Sequence, residues 1–246
     1  MTLHLRDIAS SFSSPVEARL FAEYGAVFVT TATSPPGIIF DNSEQVERFQ
    51  ASVPVDRARF GEHLIELQAE ALAYLNKAAS ELSAGGRNLT ARAADAGGRS
   101  YDDTVRLWNR NVIRGLQHWE DEGRIDDVGA AGIRELDSVQ QVSVILELEE
   151  TRQLYFGTFF DRSILYSVAA PGASQHLSLL AFDVAEYQDS SVEEVLEKHG
   201  WFRTVQNDLP HFTFLGRRRE ELADLGLKRV VRDYAGVEYH FWVPDI

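Results

Sequence analysis

The chain is most tightly constrained by two short stretches that must meet if either is to do chemistry. The first is Pro171-Gly172-Ala173-Ser174-Gln175-His176-Leu177-Ser178-Leu179-Leu180-Ala181-Phe182-Asp183. A His and an Asp seven residues apart can ligate one metal if a turn reverses the chain between them, and Pro171-Gly172 supplies turn chemistry just upstream. The second stretch, Asn207-Asp208-Leu209-Pro210-His211-Phe212, brings another His with an Asp three residues before it. One zinc ion held by His176, Asp183 and His211 would have three protein ligands and a fourth position for water, the arrangement of a catalytic rather than a structural site. Asp208 would then serve as the general base.

Charge and composition narrow the partners. The chain has 246 residues, 44% of them hydrophobic, which is enough for a full core in one large or two small domains. Its 24 basic and 38 acidic residues give a formal charge of −14, which argues against nucleic acid, anionic membranes and anionic wall polymers as partners. With no Cys there are no disulfides, thiolate ligands or cysteine nucleophiles. The first residues, Met1-Thr2-Leu3-His4-Leu5-Arg6-Asp7, lack a basic region followed by an apolar one, so no signal peptide is expected. The compartment is then periplasmic or extracellular if a signal was trimmed, and cytoplasmic otherwise. No apolar run approaches the ~20 residues of a membrane span.

Hydrophobic spacing and turn residues predict the elements. Ser13-Ser14 followed by Pro15 opens a helix over 15–24, Ala26 to Thr31 reads as a buried strand, Ile38 to Phe40 as a short one, and Glu44 to Gln50 as a helix. Phe60, Leu64, Leu67, Ala71, Leu75, Ala78 and Leu82 recur at three and four residues, predicting one long helix from Asp56 to Leu82. A helix follows over Tyr101 to Glu122, capped by Ser100 or Asp102. Val142 to Leu148 and Ser163 to Ala169 read as strands, and Ser191 to His199 as a capped helix. Trp201 to Val205 and His211 to Leu215 form a strand pair, with His211 and Thr213 on one face and Phe212 and Phe214 on the other. Val237 to Val243 is a last strand, and its Glu238 and His240 are reserve candidates for the base.

The run Ser174-x-His176-x6-Asp183, the later Asp208-x-x-His211, and the earlier Gly98-Arg99-Ser100-Tyr101 occur in an order that resembles the zinc D-alanyl-D-alanine carboxypeptidases. That family includes the VanY-like peptidases and related peptidoglycan endolysins. The resemblance covers roughly Arg57 to Gly216. It implies an α+β fold, a single mostly antiparallel sheet flanked by helices, shared with hedgehog-like signalling domains. It also implies two parts, residues 56–246 as the peptidase-like domain and 1–55 as an N-terminal elaboration packed on it. Carried over by position, His176, Asp183 and His211 bind one Zn2+, Asp208 activates water, Arg99 and Ser100 hold the substrate near its carboxylate and scissile carbonyl, and Ser174 contacts substrate. The implied activity is hydrolysis of a peptide bond in the D-amino-acid-containing stem peptide of peptidoglycan. The chain departs from the pattern at Leu179, where the family commonly has Gly, and at Asp208, where it usually has Glu. Thr104 stands in place of a frequent Gln, and Pro210 in place of a Trp. Leu179 and Asp208 support an alternative, a non-catalytic protein that holds a D-Ala-ended peptide or another carboxylate ligand.

Overall fold

The computed structural model describes residues 4–12 and 14–246, so Met1, Thr2, Leu3 and Ser13, which figured in the signal-peptide and helix-cap readings, lie outside the described residues. In chain order the helices are α1 (Leu5–Ala9), α2 (Pro15–Tyr24), α3 (Ser43–Ser52), α4 (Ala69–Ala84), α5 (Tyr101–Asp121), α6 (Asp127–Glu135), α7 (Ser138–Arg152) and α8 (Ser190–Lys198). The strands are β1 (Val55–Phe60), β2 (His63–Gln68), β3 (Ala181–Asp183), β4 (Trp201–Phe202), β5 (His211–Phe214), β6 (Leu227–Tyr234) and β7 (Val237–Pro244). The antiparallel α+β class is as the sequence implies. Among the described residues, however, the strands are divided among three small antiparallel sheets, β1–β2, β3–β5–β4 and β6–β7, rather than joined in one.

The chain folds as two compact units. The first gathers residues up to 38, 44–99 and 175–246 and contains β1 to β7. Its core packs α4 and α8 side chains such as Leu75, Leu82, Val192 and Leu196 with Phe182, Trp201, Phe212 and Phe214 of the three-stranded sheet. The second unit comprises residues 39–43 and 100–174 and is built on α5, α6 and α7. Ser100 caps α5 by accepting from the Asp103 amide, and Asp126 and Asp137 do the same for α6 and α7. In this unit the buried carboxylate of Glu149 accepts hydrogen bonds from the Ser163 hydroxyl and the amides of Phe156 and Ile164.

Several expected elements change type, each for a local reason. The long helix expected from Asp56 starts only at Ala69, and the residues before it form the β1–β2 hairpin with Phe60 paired to His63. Gly61 takes φ +65° at the tip, a left-handed conformation that turns the chain, and Leu64 is 54% exposed while Ile65 and Leu67 are buried. The spacing of Phe60, Leu64 and Leu67 matched a helix, but burial alternates at period two. Val142 to Leu148 is the middle of α7, not a strand; Val142, Ile145, Leu146 and Glu149 make one buried helical face behind the Asp137 cap. Ala26 to Thr31 overlaps the 3-10 turn Gly25–Val29, Ser163 to Ala169 contains the 3-10 turn Ile164–Tyr166, and Ile38 to Phe40 lies outside the named strands. The β6 strand had no counterpart in the sequence reading.

Candidate metal centre

The site is assembled within the first unit from a turn, a strand and that strand's neighbour. A 3-10 turn, Gln175–Ser178, carries Gln175 and His176, and the Ser178 hydroxyl closes it by donating to the Gln175 carbonyl. A buried turn must satisfy its backbone. Here the Gln50 side chain donates to the Leu177 carbonyl, while Gln68 donates to the Ser178 carbonyl with its side chain and to the Leu179 carbonyl with its amide. Leu179 adopts φ +58°, a left-handed backbone that costs an L-residue roughly 1–2 kcal/mol. That conformation gives a physical reason for the glycine of the resembled family at this position. The chain then enters β3, whose Asp183 lies directly opposite His211 of β5. Ala181 pairs with Thr213 and Phe182 with Phe212, so His211 and Thr213 share the Asp183 face and the phenylalanines fill the core, as the alternation predicts.

The three candidate ligands converge. Ligating atoms of His176, Asp183 and His211 all lie within 4.8 Å of one another, and each residue is at most 9% exposed. His176 Nε2 is 3.3 Å from Asp183 Oδ1 and His211 Nδ1 is 3.2 Å from the same oxygen. Ligands at ~2.0–2.1 Å from a tetrahedral zinc are separated by about 3.3 Å, so both spacings suit one ion. The imidazoles meet edge to face with centroids 4.9 Å apart.

The hydrogen bonds around His176 test whether a cation fits. Its Nδ1 lies 2.5 Å from the Gly97 carbonyl, which can only accept, so Nδ1 carries the proton and Nε2 has a bare lone pair. Nε2 is buried and makes no hydrogen bond, although a carboxylate oxygen faces it. Burial lowers the His176 pKa against the opposing pull of Asp183. A lone pair facing an anionic oxygen repels it unless a positive ion lies between them. The donor set and the orphaned nitrogen therefore fit a divalent metal such as zinc.

Other candidates take distinct positions. Arg99 is committed to Asp183, with Nη2 2.9 Å from Oδ2, and its Nε is 3.5 Å from Asp95. It thus fixes the carboxylate oxygen that does not face the imidazoles, a support typical of metal-site carboxylates. The close approach upstream needs glycine: a Cβ on Gly97 would come 2.6 Å from Ile65 Cγ2, and one on Gly98 2.5 Å from Leu179 Cδ2. Ser100 both accepts from the Asp103 amide and donates to the Asp103 carboxylate, and Ser174 is buried just ahead of the 3-10 turn. Asp208 is exposed in the loop before β5; its carbonyl accepts from the His211 amide. Glu238 is exposed and His240 half-buried on β7. The sequence reading missed Gln175, whose Oε1 is 2.8 Å from His211 Nε2, and the Gly97 carbonyl. Thr213 was legible by alternation with His211, but a Gln beside a His carries no signal of its own.

No family model matches the sequence, and no curated protein matches it. Among solved structures the chain is similar to VanYB in complex with D-alanine-D-alanine, at 17% identity and a TM-score of 0.38 over 73% of this chain and 86% of the other. It is also similar to a mutant of the vancomycin resistance D,D-pentapeptidase VanY from a VanB-type cassette in complex with Zn(II), at 16% identity and TM-score 0.37 over 68% and 82%. A third similar structure is the LdcB LD-carboxypeptidase, at 17% and 0.37 over 65% and 64%. These superpositions are loose, and the chemistry has to be argued from the residues of the site.

Proposed function

We propose that the chain is a zinc-dependent peptidase, a carboxypeptidase-like hydrolase that cuts a peptide bond in the D-amino-acid-containing stem peptide of peptidoglycan. The observation that carries the metal reading is the convergence of the ligating atoms of His176, Asp183 and His211, with the buried His176 Nε2 left without a hydrogen-bond partner. The substrate class is supported by the sequence resemblance of Ser174-x-His176-x6-Asp183, Asp208-x-x-His211 and Gly98-Arg99-Ser100.

His176, Asp183 and His211 would hold the ion. When bound, zinc supplies Lewis-acid polarisation of the scissile carbonyl and lowers the pKa of a water toward ~7. Asp208 takes a proton from the attacking water and returns it to the leaving amine. Arg99 orients Asp183 and, with its remaining N–H groups, stabilises the developing negative charge and the substrate carboxylate. Ser100 and Ser174 are the further substrate contacts. A stem peptide outside the cytoplasmic membrane requires a periplasmic or extracellular location; among the described residues no helix is long and apolar enough to cross a membrane.

The test is turnover. Zinc-reconstituted protein is incubated with purified pentapeptide, tetrapeptide and cross-linked muropeptides, and products are read by mass spectrometry. A shortened peptide from the parent, with Asp208→Ala retaining zinc but slowed about 10²–10⁴-fold, is expected. A fully active Asp208→Ala rejects Asp208 as base and turns attention to Glu238. Stoichiometric binding of the peptide without product replaces the peptidase with the binding-protein reading.

A further inference from the structure

The amide of Gln175 sits between the N-terminal helix α2 and the candidate metal centre. Its Nε2 is 2.9 Å from the Tyr24 carbonyl, and its Oε1 is 2.8 Å from His211 Nε2, 2.5 Å from the Thr213 hydroxyl and 3.2 Å from the Thr204 hydroxyl. Tyr24 is the last residue of α2, so its carbonyl has no partner within the helix, and a backbone carbonyl can only accept. The end of the amide that faces it must be the NH2 group, and the opposite end must be the oxygen.

That orientation propagates. Gln175 Oε1 is an acceptor only, so the hydrogen on His211 has to be on Nε2. Thr213 donates to the same oxygen, and Thr204, 2.7 Å from the Thr213 hydroxyl, completes the cluster. A neutral imidazole carries one N–H, so His211 Nδ1 is left with a lone pair aimed at Asp183 Oδ1. Reversing the amide would set its oxygen against the Tyr24 carbonyl, two acceptors in contact with no hydrogen between them.

We infer that Gln175 is a positioning residue that sets the tautomer of His211, using the terminal carbonyl of α2 as its reference, and so presents His211 Nδ1 to the metal position. The inference deepens the zinc-site reading and gives α2, which lies outside the sequence resemblance, a part in the site. Without the Gln175 oxygen, the favoured place for the His211 proton is Nδ1, where it bonds to Asp183 and blocks that nitrogen as a ligand.

The tautomer can be read in metal-free protein by two-dimensional ¹⁵N–¹H spectra of the His211 ring at about pH 8, above the usual imidazole pKa of ~6.5. The parent is expected to carry the proton on Nε2, and Gln175→Met to shift it to Nδ1. Zinc affinity, measured by competition with a chelating dye, is expected to fall about 10–100-fold in Gln175→Met. A parent protein with the proton on Nδ1 overturns the inference whether or not the variant folds. So does a folded Gln175→Met that keeps Nε2–H and binds zinc within about twofold of the parent, against the 10–100-fold loss expected. A parent that shows Nε2–H yet takes up no zinc supports the role of Gln175 and removes the metal reading instead.

Discussion

Asp183 with His211 and Glu238 with His240, two acid–imidazole combinations of the first unit, differ in nearly everything except residue type. Asp183 and His211 face each other across β3 and β5, both buried, with every outward polar atom assigned to Arg99, Gln175 or a second imidazole. Glu238 and His240 share a face of β7 at the i, i+2 spacing; Glu238 is exposed, and partial burial, aided by Arg229, lowers the His240 pKa. His240 Nδ1 also lacks a hydrogen-bond partner, but among the described residues it belongs to no group of three potential metal ligands. An exposed carboxylate costs almost nothing to keep, whereas a buried one costs several kcal/mol unless charge and hydrogen bonds compensate it. Burial with convergence therefore separates a site from a surface, and residue type alone does not.

The largest expected contrast comes from cutting the buried pair. Asp183→Asn should abolish stoichiometric zinc uptake, because it removes the anionic ligand and leaves the Arg99 guanidinium without its partner; equilibrium dialysis with elemental analysis reads this. Arg99→Gln keeps all three ligands but frees Asp183 Oδ2, and a loss of about 10–100-fold in zinc affinity is expected by chelator competition. An unchanged affinity would mean that the strand pairing alone orients Asp183. Leu179→Gly relieves about 1–2 kcal/mol of left-handed strain but removes a buried side chain whose truncation typically costs about 2–5 kcal/mol. A net destabilisation of about 1–3 kcal/mol in urea unfolding, with zinc retained, is expected. A more stable variant would show that the backbone strain outweighs the packing. The smallest effect belongs to the exposed pair: Glu238→Gln and His240→Ala should change stability by no more than about 0.5 kcal/mol and leave zinc binding intact.

The convergence of His176, Asp183 and His211 was legible because such residue types are few and their placement follows from a turn and a two-residue strand period. Asp183 and His211 fall on one face by alternation, and Pro171-Gly172 announces a change of direction before His176. Helices with strong punctuation were equally legible: Pro15 opens α2, Ser100 caps α5, and Gly200 follows α8. The β1–β2 hairpin was not, since Phe60, Leu64 and Leu67 satisfy a helical period by coincidence and only the burial of Ile65 and exposure of Leu64 decide for a strand. In α7 the β-branched run hid a helix whose signal was the Asp137 cap. Gln175 was beyond reach for a different reason. Its role depends on the Tyr24 carbonyl, 151 residues away, and tertiary contact of that range leaves no local mark.

The account turns on whether His176, Asp183 and His211 hold a divalent ion. The most direct measurement is the zinc content of the purified, zinc-reconstituted protein, beside His176→Ala treated identically. About one zinc per chain in the parent and almost none in the variant is the result expected for three protein ligands and one ion. A folded parent that takes up no zinc after reconstitution would contradict the convergence as a metal centre, and the peptidase reading would fall with it.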